Sequence, residues 1–172
     1  MFSVPMGGFN PDFHPELAEQ EYYIGMGETA ETLAEEGNIS RDTQEMFAVE
    51  SHNKALDAWN NGRFDNEIIP IDVYGEVTVE KDEGPREPNL EKIQSLNPAF
   101  IENGTITPAT SSPISIGASA VLITSREFAE ANGLKIRATI KGRSVAGVDW
   151  KRMGMGPIPA TNKVLKKTGL SL

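Results

Sequence analysis

Residues 26–62 read MGETAETLAEEGNISRDTQEMFAVESHNKALDAWNNG, and two helices in succession are written in them. From Gly27 to Glu36 the run consists of good helix formers with acids in its first turn, where the positive end of the helix dipole favours them. Gly37 stands where a C-terminal glycine cap would sit. Ser40 then opens a longer helix: its hydroxyl can cap, Asp42 suits the first turn, and Phe47, Ser51, Ala55, Ala58 and Trp59 recur on one face until Gly62.

Upstream, Met1 to Tyr23 carries Gly7, Gly8, Pro5, Pro11 and Pro15 among scattered aromatics, which suits an irregular segment pinned by side chains. Downstream, Glu67 to Val73 and Glu76 to Val79 read as strands or extended segments, with Pro70 confining the first to an edge or a bulge. A charged loop over residues 81–88 follows, then a short helix from Leu90 to Leu96 stopped by Pro98, then the turn-rich Gly104 to Pro113. Ile114 to Ser125 is apolar with small residues among the large ones, the pattern of a buried strand. Ser125 caps a helix ending at Gly133, Lys135 to Val145 alternates as a strand, and Pro159 to Lys167 is a last helix closed by Gly169.

At 172 residues, with 38% of them hydrophobic, the chain suits one domain with a modest core, and it shows no internal repeat and no dividing linker. A net charge of −9 argues against nucleic acid as a partner, because phosphate backbones are held by Lys and Arg. That charge is unevenly spread. Residues 1–130 hold 7 Lys and Arg against 24 Asp and Glu, whereas residues 131–172 hold 9 against Asp149 alone. An acidic body and a basic tail attract one another, or offer a face to an acidic partner or a phosphorylated ligand. No apolar run approaches the ~20 residues that cross a bilayer, and the first residues lack the pattern of an export signal, so no membrane partner is expected and the compartment is expected to be the cytoplasm.

The chain contains no cysteine and two histidines, which leaves no disulfide, no thiolate metal ligand and no cysteine nucleophile. Neither the dinucleotide pattern G-x-G-x-x-G, the phosphate loop, H-E-x-x-H nor G-x-S-x-G is present. Ser111 and Ser112 lie among small residues, but only His14 and His52 could serve them as a base, and a turn serine more commonly bonds its own backbone. His52 reads as a helical boundary histidine, and the neighbouring Asp82 and Glu83 as solvated carboxylates.

Several segments, in order and at compatible spacing, resemble the thiolases, the acyl-coenzyme A C-acyltransferases. The stretch from Met26 is similar to the family's MG-x-TAE, S-R-x-x-Q and G-x-F-x-x-EI-x-P patterns; DEGPREPNLEKIQSLNPAF (82–100) resembles its D-E-x-x-R segment running to P-A-F. GTITPATSSPISIGASAVLITS (104–125) is similar to its approach to a strand, and MGMGPIPATNKVLKKTGL (153–170) to its MG-x-GP-x-PA helix. The resemblance runs from about Val4 to the last residue. It implies an α/β fold of thiolase type, incomplete here: residues 1–113 as the loop region that cradles coenzyme A, and residues 114–172 as the end of the N-terminal half and the start of the C-terminal half.

It also implies what is missing. The family's acyl-accepting cysteine lies upstream of this region, and its Gly-His-Pro histidine and second cysteine lie downstream, so the expectation is a chain without catalytic residues that binds coenzyme A thioesters as substrate and carries no covalently bound cofactor. By the same resemblance Arg86 meets the adenine-ribose end of coenzyme A, Phe100 is an aromatic beside it, Ser112 bonds the pantetheine amide, and Met26 and Met153 line the thioester and acyl end. Such residues suit those tasks: Arg offers a planar charged face, Ser a hydroxyl for a buried amide, Met a soft wall for a variable chain. The sequence departs from the family at Thr110, where Asn is usual, at Ile116, where Asp usually precedes the glycine, and at Lys92 and Gly25. Two functions are therefore expected as alternatives: the coenzyme A-binding portion of an acyltransferase of fatty-acid or ketone metabolism, or a non-catalytic binding or assembly subunit of a thiolase-type complex. In either case the apolar strand at 114–125 would lack neighbours, and a homo-oligomer or association with the missing thiolase portions is expected.

Overall fold

A computed structural model describes residues 13–172. The chain forms two compact units, Met1–Ser115 and Ile116–Leu172, which are described separately.

The first unit opens with helix α1 (Pro15–Glu19), where an irregular segment was expected. Pro15 sits at the first helical position, which tolerates a residue without an N–H. The side-chain pinning expected of this segment is present: the Phe13 and Tyr23 rings lie 4.5 Å apart, and the Tyr23 hydroxyl accepts from the His14 N–H at 3.1 Å. Residues 1–12, which hold the rest of that expectation, lie outside the described residues.

Helices α2 (Met26–Glu36) and α3 (Arg41–Asn60) follow as the sequence predicts. The Ser40 hydroxyl accepts from the Thr43 N–H and starts α3. The left-handed residue that ends α2 is Asn38 (φ 49°) rather than Gly37, with the Ile39 N–H reaching back to the Ala34 carbonyl at 2.8 Å. Gly62 (φ 65°) ends α3 in the same way, the Arg63 N–H bonding the Ala58 carbonyl. Of the residues that recur on one face of α3, Ala55, Ala58 and Trp59 are half-buried and Phe47 is 75% exposed, and the one fully buried side chain of the helix is Glu45.

Strands β1 (Ile71–Val73) and β2 (Val77–Val79) pair antiparallel, with Ile71 opposite Val79 and Val73 opposite Val77. The first strand starts just after Pro70, which cannot donate to a ladder. Tyr74 and Gly75 both take positive φ at the turn, the geometry that matches strand twist. Helix α4 (Leu90–Gln94), capped by the Asn89 side chain, and a 3-10 turn (Pro108–Thr110) complete the unit.

Its interior is held by polar ties more than by a large apolar core. The Glu31 carboxylate on α2 accepts from the Thr105 N–H (2.9 Å), the Thr105 hydroxyl (2.9 Å) and the Ile106 N–H (2.8 Å). A Cβ on Gly104 would meet that same carboxylate, so the chain at 104 approaches α2 as only glycine allows. Arg41 on α3 bonds Glu45 and reaches the carbonyls of Ile93, Gln94 and Leu96 around the end of α4. Gln44 donates to the Ile39 carbonyl and to the Thr105 hydroxyl.

The second unit contains α5 (Arg126–Ala131), a 3-10 stretch (Trp150–Met155) and α6 (Pro157–Thr168). Ser125 caps α5 as expected, and its hydroxyl helps, after the local backbone, to hold the Glu127 carboxyl below its usual range. Gly169 (φ 71°) closes α6. Residues 142–145 run along α6: a Cβ on Gly142 would meet Val164 and Thr168, and the Ser144 hydroxyl donates to the Ala160 carbonyl.

Neither expected strand of this region forms. Residues 114–125 and 135–145 have no ladder partner among the described residues, and Ile114 and Val121 are each 81% exposed where a buried strand was predicted. The reason is physical: apolar patterning makes a segment suitable for a sheet, but a strand exists only when a neighbour takes its backbone N–H and C=O groups.

Candidate functional site

The ties just described position a groove of about 600 Å³ between α2, α3 and residues 106–113. Ala30, Leu33 and Ala34 of α2 form an apolar wall, and Gln44, Ser51 and His52 of α3 face it with polar groups. The third wall carries Thr110, Ser111 and Ser112. Glu31 fixes this wall, since it grips Thr105 and Ile106 immediately before it. A largely apolar concavity with a few placed hydroxyls and amides is the usual form of a small-molecule site.

Within the third wall the two serines divide their work. The Ser111 hydroxyl donates to the Thr107 carbonyl at 2.8 Å, which is the local role expected of a turn serine. Ser112 lines the groove, and its hydroxyl has no hydrogen-bond partner among the described residues.

Arg86 approaches the groove through its backbone: its N–H donates to Nδ1 of His52 at 3.3 Å. Its guanidinium forms no ion pair with Glu83 or Glu87 among the described residues. Phe100 lies elsewhere, its ring so close over Gly27 that a Cβ there would overlap it, and 48% of the residue is exposed. Met26, the first residue of α2, is also about half exposed at 47%, and neither it nor Phe100 lines the groove. Met153 belongs to the 3-10 stretch of the second unit. The structure thus places Ser112 on the groove and the Arg86 N–H on His52, which also lines it, and leaves Met26 and Phe100 off it, with the Phe100 ring over Gly27.

Sequence reasoning did not single out Glu31, Arg41, Gln44 or assign His52 a partner. A signal existed for the first: Gly27, Glu31 and Ala34 share the buried face of α2, and an acid on a face otherwise made of small residues requires donors. Among the described residues no group of three or more His, Asp or Glu side chains could hold a metal ion, and no helix is long and apolar enough to cross a membrane.

Known proteins match this architecture over nearly its full length. The family model for the thiolase N-terminal domain matches residues 11–127. The chain is 44% identical over its whole length to a 3-ketoacyl-CoA thiolase of Vibrio vulnificus strain CMCP6, of which it covers 46%. It is 47% identical over 170 residues to a 3-ketoacyl-CoA thiolase of Psychrobacter cryohalolentis, covering 95% of this chain and 43% of that one. Among solved structures, the acetyl-CoA acetyltransferase of Bacillus anthracis superposes with a TM-score of 0.77 at 40% identity, over 87% of this chain and 39% of that one. That of Syntrophomonas wolfei gives 0.77 at 32% identity, over 99% and 45%.

Fold and motifs together define a partial α/β unit of thiolase type. The chain belongs to the thiolase family. It spans a little under half the length of the curated relatives it matches.

Proposed function

We propose that this chain forms the coenzyme A thioester-binding portion of a thiolase-type acyl-coenzyme A C-acyltransferase of fatty-acid metabolism, in the cytoplasm, and performs no acyl transfer by itself. The observation that carries the binding role is the Ser112 hydroxyl, unpartnered among the described residues, on a groove whose opposite wall is apolar. A pantetheine arm has this character, apolar along its carbons with amides at intervals, and a free hydroxyl can satisfy one of those amides. Arg86, whose side chain forms no ion pair among the described residues, would meet the nucleotide end with its charge and planar face. Phe100 would wall the adenine, and Met26 and Met153 the thioester and acyl end.

The negative half rests on chemistry. An acyl group passes between thiols through a thiolate nucleophile, and this chain contains no cysteine. Titration calorimetry with coenzyme A is expected to show weak binding that Arg86→Ala weakens about tenfold through loss of one charge-assisted contact. Incubation with acetyl-coenzyme A is expected to add no acetyl mass to the denatured chain. Equal binding by the Arg86 variant would remove that residue from the site, and a covalent acyl adduct would overturn the proposal.

A second reading, an assembly subunit, is favoured by residues 114–125, whose apolar side chains are exposed and whose backbone has no ladder partner among the described residues. Such a segment recruits another chain, because unpaired backbone and exposed apolar area are both costly. Self-association is expected, weakened by salt in so far as the basic tail of one copy meets the acidic body of another. Sedimentation at low and high salt checks it, and a compact monomer under both conditions would overturn it.

A further inference from the structure

The segment that carries Arg86 makes few polar contacts with the first unit among the described residues. Pro85 and Pro88 have no N–H to give, and among the described residues no other backbone hydrogen bond ties residues 80–88 to the body of the unit. Two polar contacts remain among the described residues, both from α3, beside the packing of the half-buried Pro85 and Pro88. The Lys81 ammonium lies 5.6 Å from the centroid of the Trp59 ring, and the Arg86 N–H donates to Nδ1 of His52 at 3.3 Å. The second spans 34 residues of sequence and acts on the backbone of Arg86 itself.

Nδ1 can accept that bond only while it carries no proton. The neutral imidazole must therefore hold its hydrogen on Nε2. A proton on Nδ1 would turn the acceptor into a donor facing another donor, and the bond would be lost. We propose that His52 is a positioning residue that latches the Arg86 segment to α3 in its neutral form and releases it on protonation. The consequence for a ligand rests on the reading of Arg86 given above: the charge offered to a phosphorylated nucleotide is held in place while His52 is neutral and set loose when it is protonated.

The surroundings leave this switch to the imidazole. The α2 wall of the groove offers Ala30, Leu33 and Ala34, and residues 109–113 offer hydroxyls, so neither presents a charged side chain to it. On α3 itself Glu50 and Lys54 pair with each other at 2.7 Å, and Asp57 bonds the Asn61 amide at 2.9 Å. The charged groups of the facing segment are Glu80, Lys81, Asp82, Glu83, Arg86 and Glu87, all exposed to solvent that screens them.

The test follows the Arg86 amide by hydrogen exchange in the full chain, with rates divided by the intrinsic rate at each pH. In the wild type, protection is expected to fall severalfold on acidification from about pH 8 to about pH 5. In His52→Asn, Oδ1 stands where Nδ1 stood and cannot titrate, so protection is expected at both pH values. In His52→Ala it is expected at neither. Protection that is independent of pH in the wild type, or unchanged in His52→Ala, would overturn the latch. Coenzyme A titrations are run in parallel. Affinity is expected to fall further with acid in the wild type than in His52→Asn, where only the ligand's own phosphates titrate, and equal falls would overturn the link to binding. If Arg86→Ala leaves affinity untouched, the assignment of Arg86 to the ligand fails, while the amide measurement still decides the latch.

Discussion

Arg41→Ala is expected to destabilise the first unit by about 3 to 5 kcal/mol, the cost of leaving a buried charge without its partner. Glu45 is only 1% exposed, and its carboxylate receives the Arg41 Nε–H at 2.6 Å. A lone carboxylate in that position has neither water nor a cation to stabilise it. The guanidinium has a second task. A cation in the first turn of a helix opposes the helix dipole, so Arg41 gains nothing from α3 itself. It gains from the end of α4, where Nη2 reaches the carbonyl of Gln94, the last helical residue, at 3.1 Å and that of Leu96, just beyond the helix, at 2.7 Å. Arg41→Lys retains the charge but loses the fork, so an intermediate loss is expected. A paired Arg41→Met and Glu45→Leu replacement should cost less than Arg41→Met alone, because it removes the stranded charge as well. Urea unfolding of these variants checks the order, and a paired replacement as damaging as the single one would show that the carbonyl contacts, not the ion pair, carry the effect.

What could be read from the sequence divides along the range of the interactions concerned. Helix starts at Ser40 and Ser125 and the left-handed stop at Gly169 were legible because a cap is made within four residues. Hairpin β1–β2 was legible as two extended pieces, and the left-handed pair Tyr74 and Gly75 that joins them was not, since tyrosine seldom adopts that conformation. Residues 114–125 and 135–145 have the composition of strands, yet composition cannot supply the neighbour a strand requires. The site follows the same division. Ser112 was marked by its motif, and the structure sets it on the groove. The partnership of His52 with Arg86 joins residues 34 apart, and no local pattern announces it. The motif residues proved informative in a different sense from the one first read. Glu31 closes MG-x-TAE, Arg41 and Gln44 belong to S-R-x-x-Q, and all three are spent on tying the unit together.

Glu31→Ala is expected to cost about 3 kcal/mol or more, since buried donors left unsatisfied cost about 1 to 3 kcal/mol each. The side chain is 8% exposed and engages the N–H groups of Thr105 and Ile106 together with the Thr105 hydroxyl, 74 and 75 residues away. Both of its oxygens are used, so Glu31→Gln would turn an amide N–H₂ toward at least one donor and recover little. Gly104→Ala probes the same contact from the other side, because its new Cβ would displace the carboxylate without removing it. The loss should reach the groove as well as stability. Thr105 and Ile106 lead directly into the wall that carries Ser111 and Ser112, and Gln44 holds the same Thr105 hydroxyl from α3. Freed from α2, that wall keeps the Gln44 bond to the Thr105 hydroxyl and the bond from the Ala99 N–H to the Ile106 carbonyl at 2.9 Å, two ties about which it can shift. Coenzyme A affinity in Glu31→Ala and Gly104→Ala is therefore expected to fall at temperatures where both variants remain folded by circular dichroism. Unfolding curves coincident with the wild type would show that the carboxylate contributes nothing net. A destabilised variant with unchanged affinity would place the ligand somewhere other than the wall that Glu31 anchors.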